Sequence, residues 1–182
     1  MKTFIEVGSC DFDTCLPLAE NGWQGVVVEA NPIIFESTKK LFKNLNVTCI
    51  NAAVTDYDGT IDFILTAGWG WARGISHVVS PNHKGERLCD YQLNKKNFGE
   101  TITVRGITLN TIIKDLNITS VDFLKIDAQG HDLNIIEAFD FTPKPTFIKI
   151  EHEHCDHNEV LEILKSNGYM VWKEEKDLYA VH

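Results

Sequence analysis

Apolar and polar positions alternate along the chain in blocks that predict strands followed by helices. Short apolar runs predict strands at Thr3–Val7, Val26–Glu29 and Val47–Asn51. Helical periodicity between these runs predicts helices at Asp13–Asn21 and Ile33–Leu45. Strands that alternate with helices in this way form a parallel sheet with helices on both faces.

The same alternation returns in the second half of the chain. It predicts helices at Leu109–Leu116, Leu133–Phe139 and His157–Ser166, with strands at Val121–Asp127 and Thr146–Glu151 between them.

The last predicted strands break the parallel pattern. Tyr169–Lys173 and Leu178–His182 flank the charged turn Glu174–Asp177, which predicts an antiparallel hairpin. The predicted fold is therefore α/β: a doubly wound, mostly parallel, Rossmann-like sheet of about seven strands with an antiparallel C-terminal strand.

Residues 57–107 interrupt this rhythm. Within them, Thr60–Leu65 and Thr101–Arg105 predict an antiparallel pair around a loop rich in Gly, Trp and Asn. Long inserts in compact domains usually carry function. We expect residues 1–182 to form a single domain with this insert.

Composition narrows the class of protein. The chain has 182 residues, of which 43% are apolar and 24% charged. This suits one domain that folds without disulfide or metal cross-links. A net charge of −9 argues against sequence-independent nucleic-acid binding. No signal peptide or membrane-spanning run is visible, and five scattered cysteines fit reduced thiols, so we expect a cytoplasmic protein without a membrane partner. These are Cys10, Cys15, Cys49, Cys89 and Cys155.

The end of the first strand has the features of a nucleotide-binding turn. Gly8 permits a sharp turn, and the helix that follows offers unpaired N–H groups to a polar ligand. Glu29 ends the second strand, where a carboxylate can accept hydrogen bonds from both hydroxyls of a ribose. These features suit either NAD or S-adenosylmethionine.

The acids beside the turn favour S-adenosylmethionine. A pyrophosphate needs a G-x-G-x-x-G loop, but Cys10 and Asp13 stand where its second and third glycines would be. Asp11 and Asp13 would repel a pyrophosphate and attract the ammonium of an amino acid. The antiparallel terminal hairpin also fits a methyltransferase better than a dehydrogenase. An NAD-linked oxidoreductase is the alternative.

Five motifs occur in the same order as in a known family. They are Glu6–Thr14, Val28–Pro32, Asn51–Val54, Leu109–Ile113 and Lys125–Asp132. With these motifs the chain resembles the FkbM-type S-adenosylmethionine-dependent methyltransferases over nearly its full length. The resemblance implies the class I methyltransferase fold and methyl transfer to an oxygen of a sugar, glycolipid or natural product.

The chain departs from the family pattern in three ways. Phe12 replaces the second glycine of the cofactor loop, and Gln129 replaces the usual acid. The N-terminal extension common in the family is missing, so we expect a more open site or one completed by a second copy in a homo-oligomer. The two substitutions also leave open a non-catalytic cofactor-binding module.

The cofactor contacts can be placed on the motifs. Gly8 and Ser9 form the turn under the methionine moiety, and Glu29 meets the ribose hydroxyls. Glu6, Asp13 and Asp127 are candidates for the ammonium. The further predicted cofactor-binding residues are Thr14, Ala30, Asn31, Asn51 and Ala52, of which Asn51 and Ala52 border the adenine. Asn31 supports the ribose or adenine, or caps a helix that begins at Pro32, or does both.

Candidate acid–base groups follow the later strands, whose carboxyl ends meet at the ligand-binding edge. Asp127 and His131 follow one strand, and His152 and His154 follow the next. An imidazole titrates near neutral pH and so suits removal of the acceptor proton. If the strand continued to residue 154, only one of the pairs Glu151/Glu153 and His152/His154 would face the site.

The same region could also hold a divalent metal. Asp127, Asp132 and Glu151 suit magnesium, whereas His152, His154, Cys155 and His157 suit zinc. No ordered zinc motif is present and Gln129 removes a charge, so no metal ligands are assigned.

The insert supplies the predicted acceptor contacts Trp69, Trp71, Arg73 and His77. Aromatic faces stack on sugar rings, and a guanidinium contacts an anionic group. Tryptophans also anchor subunit interfaces, which leaves oligomerisation as a competing role.

Overall fold

The computed structural model describes residues 1–10, 14–66, 76–79 and 98–182. The first half contains the predicted alternation: β1 (Thr3–Val7), α1 (Leu16–Glu20), β2 (Gln24–Glu29), α2 (Pro32–Leu41) and β3 (Val47–Asn51). Both helices are shorter than predicted. After α2 the chain passes through turns, and Asn44 adopts a left-handed φ of 72° that a continuing helix does not allow.

The remaining elements follow in two groups. β4 (Ala53–Val54) precedes the insert, which contributes β5 (Gly59–Thr66), β6 (His77–Val79) and β7 (Phe98–Ile107). The C-terminal part contains α3 (Leu109–Asp115), β8 (Phe123–Ile126), α4 (Asp132–Ala138), β9 (Phe147–Glu151), α5 (His157–Ser166), β10 (Met170–Glu174) and β11 (Asp177–Val181).

The main sheet has seven strands in the order β10-β11-β9-β8-β1-β2-β3. β1 is parallel to both β2 and β8. Within this sheet β11 runs in the opposite direction to the other six strands. This confirms the predicted doubly wound sheet with a reversed C-terminal strand. The strand order changes direction between β1 and β8, which is the point where open α/β sheets bind ligands.

Alternate residues of the buried strands serve two cores. Ile5 and Val28 pack on the side of α3, α4 and α5, whereas Phe4 and Val27 pack on the side of α1 and α2. Because neighbouring side chains in a strand point to opposite faces, this division places helices on both faces of the sheet.

The strands of the insert form a second sheet together with β4, in the order β4-β7-β5-β6. β5 and β7 are antiparallel, as the sequence predicted, while β6 and the parallel β4 extend the sheet beyond the predicted pair. Asp58 ties the sheet to α3, since its carboxylate accepts the Thr108 N–H at 2.9 Å and the Thr111 hydroxyl at 2.7 Å. Among the helices of the described ranges, none is long and apolar enough to cross a membrane.

Candidate active site

The turn after β1 lies directly against the end of β8. Gly8 has a left-handed φ of 72°, and its N–H donates to the Val28 carbonyl at 3.0 Å. A Cβ added there would lie 1.7 Å from the Asp127 carbonyl oxygen. Only glycine fits such a close approach, so the turn and Asp127 meet at the switch point of the sheet.

A buried ion pair supports this turn from within the sheet. Glu6 on β1 is 0% exposed, and its Oε1 lies 3.2 Å from the Nζ of Lys125 on β8. Its Oε2 accepts the Cys15 N–H at 3.0 Å. With both carboxylate oxygens engaged below the surface, Glu6 suits holding the loop before α1 better than meeting a cofactor ammonium.

Glu29 lies at the carboxyl end of β2 and is 7% exposed. One carboxylate oxygen accepts the Cys10 N–H at 2.9 Å and the other accepts the Asn31 N–H at 2.8 Å. Burial raises the pKa of Glu29, and these two hydrogen bonds partly oppose the rise. Each oxygen keeps a free lone pair, as the predicted contact with two ribose hydroxyls requires.

The neighbouring predicted residues hold the end of β2 in place. Asn31 caps α2, because its Oδ1 accepts the N–H groups of Ile33 at 3.0 Å and Ile34 at 3.3 Å. This confirms the helix-start interpretation. Asn51 donates from Nδ2 to the backbone carbonyls of Glu29 at 2.8 Å and Ala30 at 3.3 Å. The Ala52 N–H donates to the same Glu29 carbonyl at 3.2 Å.

Two loop residues have different surroundings. Ser9 is 0% exposed, and its hydroxyl has no hydrogen-bond partner within the described part of the chain. The Thr14 hydroxyl accepts the Leu16 N–H at 3.2 Å and so sits at the start of α1. Asp13 lies outside the described residues.

Three polar side chains converge where β8 and β9 end. The Gln129 amide nitrogen donates to Asp127 Oδ1 at 2.8 Å and to Glu151 Oε2 at 3.0 Å. Gln129 itself has a left-handed φ of 51°, which turns its side chain back over the strand ends. The residue that departs from the family pattern therefore bridges the carboxyl groups of two neighbouring strands.

Burial and the repulsion of neighbouring carboxylates raise the pKa values of Glu151 and Asp132. The pKa of Glu151 is raised to about 10, chiefly by burial and then by Asp127 and Asp132. Asp132, at the start of α4, accepts the N–H groups of Ala128 at 2.8 Å and Gly130 at 2.9 Å. Its pKa is raised to about 7, again by burial first and by Asp127 second.

The candidate histidines occupy separate environments. His131 is 1% exposed, and its Nε2 lies 3.6 Å from Oδ1 of Asp56, just before the insert. This burial does not suit a base that meets an acceptor. His152 packs against the His157 ring at a centroid distance of 5.5 Å, and burial lowers its pKa. His152 Nε2 has no hydrogen-bond partner among the described residues. His154 is buried, with Nε2 3.8 Å from Glu153 Oε2.

β9 ends at Glu151, so strict alternation does not extend to residue 154. Ligand atoms of Glu151, Glu153 and His154 consequently lie within 4.8 Å of one another, a spacing that could hold a metal ion. The Lys176 ammonium already lies 2.6 Å from Glu153 and supplies positive charge there.

The predicted acceptor contacts fall mainly outside the described residues. Trp69, Trp71 and Arg73 lie there and stay predictions. His77 is on β6 and is 4% exposed. At the neighbouring Ser76, the hydroxyl lies 3.5 Å from the Asn31 amide nitrogen, so this strand approaches the end of β2.

Sequence reasoning missed Lys125 and Gln129 as parts of the site. Lys125 interrupts the apolar run Phe123–Ile126, and Glu6 interrupts the apolar run of β1. Opposite charges within two buried strands are a signal that could have identified the pair. The Gln129 contacts had no such signal, because they depend on its backbone conformation.

Because the pKa of Asp132 is raised, we expect the stability of the protein to depend on pH. An acid whose pKa is raised by folding stabilises the protein fully below its unfolded value of 3.8, and this contribution is lost as pH rises through about 7. We expect Asp132→Asn to flatten the fall in the free energy of unfolding between pH 5 and 7. Urea denaturation of both proteins across this range measures it, and an unchanged slope would contradict the assignment.

Together, the sheet order, the glycine turn and the reversed C-terminal strand are those of a class I methyltransferase fold. The model of the methyltransferase FkbM domain matches residues 6–171. The chain therefore belongs to the FkbM methyltransferase family, whose members use S-adenosylmethionine.

The chain is similar to several solved structures at low sequence identity. The METTL16 methyltransferase domain is 12% identical with a TM-score of 0.50, and the match covers 99% of this chain and 58% of that one. A human methyltransferase 10 domain containing protein is 13% identical, with a TM-score of 0.46 and coverage of 100% and 70%. A TehB-like SAM-dependent methyltransferase from Corynebacterium glutamicum is 10% identical, with a TM-score of 0.42 and coverage of 99% and 78%. No curated protein matches significantly.

The residues present fit S-adenosylmethionine. Glu29 retains two hydrogen-bond acceptors for a ribose, and Gly8 leaves the turn free of a side chain beside Asp127. The acidic groups beyond the turn favour a ligand that carries positive charge.

Proposed function

We propose that this chain transfers the methyl group of S-adenosylmethionine to a hydroxyl of a sugar, glycan or related small metabolite. The observation that carries the proposal is the row of groups along the carboxyl ends of adjacent strands. Across the sheet, Glu29 ends β2, Gly8 follows β1, Asp127 follows β8 and Glu151 ends β9. The row would bind the nucleoside at the Glu29 end and accept a proton at the end formed by Asp127 and Glu151.

The surroundings of Asp127 suit a neutral hydroxyl compound as the methyl acceptor. Asp127, Glu151 and Glu153 are acidic, and Lys176 pairs with Glu153 at the margin. An anionic acceptor placed there would meet like charges in a partly buried setting, which is unfavourable. This supports a sugar-like acceptor over a nucleic acid, as does the net charge of −9.

Catalysis by this arrangement depends mainly on position. Bound S-adenosylmethionine would supply an electrophilic methyl group on its sulfonium. The protein holds the acceptor in line with that group and offers Asp127 as the acceptor of its proton. His152 and His154 remain proposed alternatives for the proton, and Trp69, Trp71, Arg73 and His77 remain the proposed acceptor contacts.

We also propose that the protein acts in the cytoplasm, where its thiols would stay reduced. The support for this is the odd number of cysteines and their scattered positions along the chain, without a C-x-x-C pair.

Methyl-labelled cofactor tests the proposed function directly. The protein is incubated with a panel of sugars, nucleotide sugars, glycans, amines, phenols and RNA, with and without a chelator. We expect label on a neutral hydroxyl compound in both conditions. Label only on RNA or amines would overturn the acceptor class. Loss of labelling with chelator would instead show a metal requirement. Cofactor binding without transfer to any compound would favour the non-catalytic module.

The ribose contact has its own test. Glu29→Gln should weaken S-adenosylhomocysteine binding by about 1–3 kcal/mol, because an amide cannot accept from both hydroxyls and both backbone N–H groups. Isothermal titration calorimetry measures the loss, with the exposed Glu20→Gln on α1 as control. Equal affinity of the two variants would show that the ribose binds elsewhere. Titration with NAD in the same experiment tests the oxidoreductase alternative.

A further inference from the structure

The Asp127–Gln129–Glu151 cluster is built from parts that sit on different elements. Asp127 follows β8, Glu151 ends β9, and Gln129 lies in the turn before α4. The Gln129 amide uses both of its N–H bonds on the two carboxyl groups, at 2.8 and 3.0 Å. The two carboxyl groups therefore converge on one nitrogen, and an interaction with the Asp127 side chain contributes to the raised pKa of Glu151. A hydrogen bond between two carboxyl groups requires a proton on one of them.

The cluster is adjacent to the cofactor turn and extends away from it. Asp127 contacts the turn, since its carbonyl lies where a Gly8 side chain would be. Glu151 lies one strand further from β1. Asp127 therefore lies between the cofactor turn and Glu151.

We propose that Asp127 and Glu151 act as a proton-sharing carboxyl pair that receives the proton of the acceptor hydroxyl, and that Gln129 is the residue that positions the pair. This inference rests on the proposed methyl transfer to oxygen. It adds Glu151 to the catalytic groups and gives a role to the glutamine that replaces the acid of the family.

The step balances with the groups present. The new bond to the acceptor oxygen forms as the carbon–sulfur bond of S-adenosylmethionine breaks, and the bonding electrons remain on sulfur. The hydroxyl proton passes to a carboxyl oxygen of Asp127. Glu151, which already carries a proton, holds Asp127 by a hydrogen bond, and the pair returns its extra proton to solvent after product leaves.

The charged neighbours of the pair are acidic except for one. Asp132 on α4 and Glu153 after β9 face Glu151, and Lys176 in the β10–β11 turn and the Cys155 thiol are also within electrostatic range. Two carboxyls in such surroundings cannot both ionise easily, so one proton stays shared. A neutral Gln129 bridges the pair without adding a third negative charge.

Two isosteric variants should each move the acidic limb of the pH–rate profile up. Gln129→Glu adds a third acid and removes an N–H donor from each carboxyl group, so the limb should move up by about one unit. Glu151→Gln replaces the O–H donor that stabilises the Asp127 carboxylate with a weaker amide donor, so the limb should again move up, by less than about one unit. Both should bind S-adenosylhomocysteine within about threefold of wild type. A merely structural role would lower the rate without moving the limb.

The rates are measured with the neutral hydroxyl compound that the wild-type protein labels in the acceptor panel. Gln24→Glu is the matched control, because Gln24 starts β2 at the opposite edge of the sheet and donates to Thr3 at 2.8 Å. We expect no shift from this variant. Identical profiles for wild type, Gln129→Glu and Glu151→Gln would overturn the proposal while leaving methyl transfer intact.

A second measurement needs neither an acceptor nor turnover. In protein carrying ¹³C at the glutamate carboxyls, the Glu151 signal is identified by its absence in Glu151→Gln. We expect it to titrate well above neutral pH in wild type and higher still in Gln129→Glu. Titration of Glu151 in the ordinary range near pH 4–5 would overturn the pair. If the wild-type protein binds no S-adenosylhomocysteine, the proposed function fails instead.

Discussion

Lys125→Met is expected to lower the free energy of unfolding by about 3–5 kcal/mol, because it leaves the buried Glu6 carboxylate without its ammonium. Glu6 is 0% exposed and Lys125 is 3% exposed, so water cannot replace the lost charge without opening the sheet. The two side chains lie 3.2 Å apart on adjacent central strands. Chemical denaturation of the two proteins at neutral pH measures the difference.

Lys149→Met provides a matched control on the next strand. Lys149 pairs in register with Lys125, but its ion pair with Asp177 is partly exposed, with side chains 19% and 24% accessible. We expect a loss below about 1 kcal/mol. The double variant Glu6→Leu/Lys125→Met should recover much of the stability, since two apolar groups replace the pair. Equal losses for the two lysines would show that burial of the pair contributes nothing special.

Gly8→Ala is expected to cost about 2–5 kcal/mol of stability and to abolish measurable cofactor binding. The left-handed backbone of a non-glycine residue costs about 1–2 kcal/mol, and forced overpacking adds about 1–3 kcal/mol. The methyl group would lie 1.7 Å from the Asp127 carbonyl oxygen, which belongs to the backbone and cannot rotate away. The turn and the end of β8 must therefore separate where the cofactor is expected to bind.

Gly22→Ala separates the two contributions. Gly22 has a left-handed φ of 85°, and a Cβ there meets no atom of the described chain within 4 Å. It should lose only the backbone contribution, about 1–2 kcal/mol, and keep its affinity for S-adenosylhomocysteine. Calorimetry of both variants provides the comparison. Retained binding in Gly8→Ala would show that the contact with Asp127 is not needed at the cofactor site.

Gly8 and the Glu6–Lys125 ion pair also affect the proposed proton transfer to Asp127 and Glu151. Gly8 sets the distance between β1 and β8, and the Glu6–Lys125 pair fixes the same two strands from within the sheet. Asp127 directly follows β8, so the position of its carboxylate depends on the position of β8. A change at either position should therefore alter proton transfer as well as stability.

Much of the fold followed from the chain alone. Apolar runs and helical periodicity predicted the strands of the main sheet, and the charged turn Glu174–Asp177 predicted the antiparallel hairpin of β10 and β11. Helix ends were less predictable. Pro17 lies within the first two positions of α1, and the chain turns after α2, so both helices are shorter than their periodic patterns.

By itself, the sequence determined the strand–helix alternation, the glycine turn and the placement of Glu29 at the end of β2, because these depend on neighbours along the chain. Tertiary structure alone decided that Glu6 pairs with Lys125 and that Gln129 joins Asp127 to Glu151. The strands that carry these groups are distant in sequence and adjacent only in the sheet. Their burial and shared charges, which set the proton affinity of the site, arise when the sheet assembles.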